Sequence, residues 1–135
     1  MDILIETYHR LLAETVPTYH RKFYDDFTMD SRLVGIVGAR GVGKTTFLID
    51  YLRKQYRDSS QALYVSADNL YFVEHTLLEV ADQFVKDFDG HMLCIDEIHR
   101  YKNWNQELKN IYDSYPRLTV LFSGSSSIDL VKGRY

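Results

Sequence analysis

The sequence is poor in the residues that would point to a stapled, membrane-inserted or nucleic-acid-coating protein. Cys94 is the one cysteine among 135 residues, so no internal disulfide can form, which matches a reducing compartment. No apolar run approaches the ~20 residues that a membrane-spanning helix needs. The opening Met1-Asp2-Ile3-Leu4-Ile5-Glu6 has no basic stretch of the kind that begins a secretory leader. A cytoplasmic location with no membrane partner is expected. Charge of one sign is also scarce. Sixteen Lys and Arg against 19 Asp and Glu leave a formal net charge of −3, so there is no overall basic footprint for nucleic acid. Arg21-Lys22 and Arg53-Lys54 with Arg57 are the only local basic clusters. Surface solvation accounts for both, and nucleic acid stays an unsupported partner. His75, His91 and His99 stand at no ligand spacing from Cys94 or from a second carboxylate, so a zinc site is not expected.

What is present is an ordinary globular composition, 45% hydrophobic and 26% charged, in a length that makes one domain with one core. Eleven tyrosines could stack on bases, but several fall at helical core spacing, and packing is the better reading. Residues 1–30 read as a helical preface. Leu4, Tyr8, Leu11, Leu12 and Thr15 share a stripe, Pro17 interrupts it, and Tyr19, Phe23 and Phe27 resume it. From residue 31 onward the pattern alternates. Short apolar runs at 32–37, 61–66, 91–95 and 118–122 read as strands. Helices are predicted over 46–56, over 70–88 with Val73, Leu77, Val80, Ala81, Phe84 and Phe88 inward, and from an Asn103 cap with Gln106 three residues on. Gly90 is placed to stop the second of these helices, and Pro116 follows the third. Strand–helix alternation of this kind predicts an α/β fold, a parallel sheet with helices on both faces and right-handed crossovers.

Two segments carry chemistry. Residues 38–45 read GARGVGKT, a full match to G-x-x-x-x-G-K-[ST], the phosphate-binding loop of nucleoside triphosphatases. Gly38 and Gly43 let the backbone turn back so that successive N–H groups, through Ala39, Arg40, Gly41 and Val42, reach phosphate oxygens. Lys44 offers a point charge to the terminal phosphates, and the Thr45 hydroxyl can ligand Mg²⁺, with Thr46 at the helix start. A glycine-rich turn that fits by chance is the plain alternative. A strand before the loop and a helix after it argue against that, because unsatisfied N–H groups and the helix dipole both favour an anion there.

The third strand ends in Asp96-Glu97. A carboxylate at the C-terminal end of a strand beside the phosphate loop can hold Mg²⁺ through water, the role expected of Asp96. Glu97 can accept a proton from, or orient, the water that attacks the terminal phosphate. Two acids beginning a surface loop would look the same in isolation; the strand and the upstream loop raise the functional reading. The fourth strand ends in Ser123-Gly124-Ser125-Ser126-Ser127. Ser125, just past that end, is the candidate to sense the terminal phosphate or orient water, with a plain serine turn as its competitor. Asp68 could join the outer shell of the metal, though capping the following helix suits it better. Arg100 reads as a solvated arginine, and Trp104 as packing beneath its helix.

The stretches GARGVGKTTFL, CIDEIHRYKNWNQELKNIYDSYP and VLFSGSSSIDLVKGR resemble the AAA-type ATPase domain of bacterial and archaeal proteins that carry an uncharacterised C-terminal domain. The resemblance spans roughly residues 32–135. It implies ATP binding, hydrolysis and use of the nucleotide as a conformational switch, with ATP and Mg²⁺ as cofactors and the parent's own C-terminal domain as a partner. It also implies the additional-strand class of P-loop core, with spatial strand order 1-4-3-2. Members continue past Gly133-Arg134 into a fifth strand and a lid. By this resemblance residues 31–135 form a core truncated before both, with Arg134 as a candidate signalling arginine. The first strand would then be an edge, to be covered by residues 1–30 or by self-association. A nucleotide-binding regulatory module that does not hydrolyse, and a P-loop kinase, are the other functions compatible with these residues. The Asp-Glu pair disfavours the kinase.

Overall fold

Residues 1–14, 29–38, 44–56 and 59–125 are described in a computed structural model. Four strands, β1 (Leu33–Gly38), β2 (Ala62–Ser66), β3 (Met92–Asp96) and β4 (Thr119–Ser125), form one sheet in the order β1-β4-β3-β2. All neighbours pair in parallel, so the expected α/β architecture and strand order are found. The strands are mostly apolar because both faces are covered: every residue of β3, and Ala62 to Val65 of β2, is buried.

Helices α1 (Asp2–Glu14), α2 (Lys44–Gln55), α3 (Leu77–Phe88) and α4 (Trp104–Ser114) divide between the two faces. The register decides which goes where. Ile95 is level with Phe122, so these two point to one face while Asp96 and Ser123, one residue on, point to the other. Thr45 of α2 meets Asp96, and the Trp104 ring of α4 lies 6.0 Å from the Phe122 ring. α2 and α4 therefore lie on opposite faces, with α3 packed beside α4 and α1 beside α2. Arg53 ties that second pair together. It bonds the buried Asp50 of its own helix at 2.6 Å and the Leu12 carbonyl of α1 at 2.7 Å.

Four local expectations change. The helix predicted over 70–88 is a 3₁₀ turn, Leu70–Val73, followed by α3 from Leu77. Two caps split it. The Asn69 side chain accepts from the Tyr71 N–H, and the Thr76 hydroxyl accepts from the Glu79 N–H, each satisfying an orphan donor at a new start. Leu70 and Val73 consequently face solvent, at 84% and 77% exposed. Asp68 does no capping; it accepts from the Ser66 hydroxyl. Asn103 precedes α4, but at φ 63° its side chain makes no cap bond, since side-chain capping needs an extended backbone. Finally, α1 packs against β2, at the far end of the sheet from β1, and against α2. The expected cover of β1 is not the job of this helix, and residues 15–28 lie outside the described residues.

Gly90 follows α3, as expected, for a reason of space. The left-handed residue is Asp89, at φ 50°. At Gly90 a Cβ would lie 2.4 Å from the Phe84 ring.

Candidate functional site

The carboxyl ends of β1, β3 and β4 bring the candidate residues to one edge of the sheet, where ligands of open α/β sheets bind. Asp96 is the last residue of β3 and only 1% exposed. Its carboxylate accepts four hydrogen bonds. Thr45 Oγ1 and the Tyr64 hydroxyl donate to Oδ2 at 2.5 and 2.6 Å, while Ser123 Oγ and the Glu97 N–H donate to Oδ1 at 2.5 and 3.0 Å. A buried carboxylate is costly unless its oxygens are bonded in this way. Burial, followed by the charge of Asp96 and the bond to it, pushes the Tyr64 phenol far above its ordinary range. Tyr64 therefore remains a donor.

Lys44 and Thr45 open α2 because the strand–loop–helix order delivers them there, at the positive end of the helix dipole. Lys44 Nζ reaches across to the Gly124 carbonyl of β4 at 3.2 Å. Gly38 ends β1 level with Ser125 in the register of β1 with β4, and Thr46 follows in the first turn of α2. Ala39, Arg40, Gly41, Val42 and Gly43, the body of the glycine loop, lie outside the described residues, as does Arg134. The structure thus joins Thr45 to Asp96 directly and sets Lys44 against the end of β4. Thr45 and Asp96 offer hard oxygen donors, the kind Mg²⁺ takes. Among the described residues no group of three or more His, Cys, Asp or Glu could hold a metal.

Glu97 stands just past β3 at φ 55°, ψ 41°. Asp and Asn tolerate this left-handed region through local hydrogen bonds, but glutamate does not, and such strain costs on the order of 1–3 kcal/mol. The following 3₁₀ turn, Ile98–Arg100, holds it, with Ile98 fully buried and the Arg100 N–H bonded to the Glu97 carbonyl at 2.9 Å. Glu97 Oε2 lies 3.2 Å from His99 Nε2, the side chains 29% and 19% exposed. The two other His–carboxylate pairs of the described residues are more open to solvent. Arg100 is exposed and lines an open cleft with Asp68, Asn69 and Lys102.

Three residues at this edge escape a reading of the sequence: Tyr64, Ser123 and His99. Ser123 lay within the serine run, one alternate position before the candidate Ser125, and strand alternation would have placed it on the Asp96 face once the register was known. Tyr64 looks like core filling in an apolar run. Nothing local marks it as a partner of an acid on the neighbouring strand.

The sequence model of a family described as an AAA domain matches residues 30–134. Uncharacterized protein MJ1637 of Methanocaldococcus jannaschii is 29% identical over 106 residues, which cover 73% of this chain and 22% of that protein. The chain thus matches less than a quarter of the length of that curated relative. Among solved structures, C. elegans PCH-2 is similar at a TM-score of 0.45 and 18% identity, over 95% of this chain and 37% of that chain.

Proposed function

The chain belongs to the AAA domain family, and on that premise we propose that it binds ATP with Mg²⁺, hydrolyses it slowly, and serves as a conformational switch within a larger protein. One observation carries this reading: the Thr45 hydroxyl, at the start of the helix after the glycine loop, touches the buried Asp96 carboxylate at the end of β3. A phosphate-bound Mg²⁺ needs oxygen donors from both elements at one point. In this proposal the backbone from Gly38 to Gly43 cradles the phosphates and Lys44 pairs with the terminal ones. Thr45 and Asp96 hold the metal, Asp96 through water. Bound there, Mg²⁺ would supply charge neutralisation to the transferring phosphoryl group. Glu97 orients the attacking water and takes its proton, and Ser125 senses the terminal phosphate. The remainder of the parent protein is the proposed recipient of the switch, and self-association is a further proposal.

Glu97→Gln keeps the shape of the side chain but cannot take a proton. In the full natural chain it should retain binding of a fluorescent ATP analogue and lose phosphate release, whereas Asp96→Asn should weaken Mg²⁺-dependent binding. Phosphate release by Glu97→Gln at the parent rate would remove Glu97 from the mechanism.

A further inference from the structure

The four donors on Asp96 come from four different places in the chain, and two of them come from the strands on either side of β3. Tyr64 belongs to β2 and holds Oδ2 at 2.6 Å; Ser123 belongs to β4 and holds Oδ1 at 2.5 Å. Tyr64 is 4% exposed and Ser123 fully buried, so neither hydroxyl has water as a substitute partner. A carboxylate has about four acceptor positions, and the Thr45 and Glu97 donors occupy the rest. The two oxygens are therefore gripped from opposite sides within the sheet. Of the four, Thr45 alone is an exposed residue. It is the one whose hydroxyl can turn toward an incoming ligand without stranding a buried group.

We propose that Tyr64 and Ser123 are positioning residues that clamp Asp96 from the two neighbouring strands and so set the affinity of the site for Mg²⁺. The inference rests on the reading that Thr45 and Asp96 hold the metal. Each hydroxyl would act through the Asp96 carboxylate it is bonded to rather than as a ligand of nucleotide or metal. Groups that orient a metal-binding carboxylate commonly govern affinity about as strongly as a weak ligand does, about 10–100-fold when removed. Tyr64 matters more of the two, because it shares Oδ2 with Thr45 and fixes the point at which the two metal-holding elements meet. Once the Thr45 hydroxyl turns toward the ligand, Tyr64 is what holds Oδ2 among its two donors, and without it the carboxylate can swing away from the position it must keep.

The test is a Mg²⁺ titration of the binding of a fluorescent ATP analogue to the full natural chain, with a parallel measurement in excess chelator. Tyr64→Phe should need about tenfold more Mg²⁺ or greater for half-saturation, and Ser123→Ala should shift the same way. Both should bind the analogue in chelator as the parent does. A merely structural role would weaken binding with and without the ion together, and that outcome overturns the clamp. So does a Mg²⁺-dependent parent whose variants need no extra Mg²⁺. A parent whose binding ignores Mg²⁺ overturns the reading beneath it and the clamp with it. Should Tyr64→Phe fail to fold, as a thermal melt would reveal, the Ser123→Ala titration decides.

Discussion

Gly35 of β1 lies level with Phe122 of β4, and the Phe122 ring fills the space above it: a Cβ on Gly35 would stand 2.5 Å from Phe122 Cζ. The ring is fully buried and also meets Trp104 of α4, so it has no room to retreat. A glycine in a strand weakens it unless another group approaches closely, and here an aromatic ring does.

Gly35→Ala should therefore destabilise the protein despite improving strand propensity, by about 1–3 kcal/mol, the usual cost of overpacking a tight core. Urea unfolding of parent and variant would measure it. An unchanged midpoint would mean that Phe122 can move.

Lys44→Ala removes the charge offered to the terminal phosphates, and backbone N–H groups cannot replace it. Affinity for a fluorescent ATP analogue should fall at least tenfold, or about 1.4 kcal/mol. Equal binding by the variant would sink the assignment of the glycine loop.

Thr76 starts α3 by accepting from the Glu79 N–H at 3.0 Å. Thr76→Ala should cost about 1 kcal/mol of stability, the typical value of such a cap, while Asp68→Ala should leave α3 unaffected because Asp68 caps nothing there. Denaturation curves of the two variants would show the contrast.

Burial, reinforced by a hydrogen bond to Glu107, pushes the Tyr101 phenol up to about 12. Tyr115, bonded to Asp82, is likewise pushed up to about 12, again chiefly by burial. A phenol raised above its unfolded value near 10 contributes stability that is complete below about pH 10 and lost as pH rises through about 12. The unfolding midpoint should thus decline between pH 10 and 12. The decline should be shallower in Tyr101→Phe and Tyr115→Phe. Parallel slopes for parent and variants would exclude these two groups as its cause.

Much of the candidate site is legible along the chain because its residues are local in sequence. Lys44 and Thr45 follow their glycines within one motif, and Asp96 and Glu97 follow a short apolar run that reads as a buried strand. The helix over 70–88 is misread because apolar spacing alone runs straight through Val73. Asn69 and Thr76, two side chains competing for backbone donors, break it there. Asn103 shows the converse error. The residue type is right for a cap, but its left-handed backbone turns the side chain away from the job.

The sequence by itself determines the alternation of strands and helices, the glycine-rich motif that precedes α2 and the acid that ends β3, since each depends on residues adjacent in the chain. Only the tertiary structure decides that Tyr64 and Ser123 hold Asp96, that Phe122 needs a glycine opposite it and that α1 lies against β2. These depend on which strands become neighbours and in what register. In a parallel sheet, pairs far apart in sequence meet only after the crossovers close, and a slip of one residue would turn each side chain to the other face.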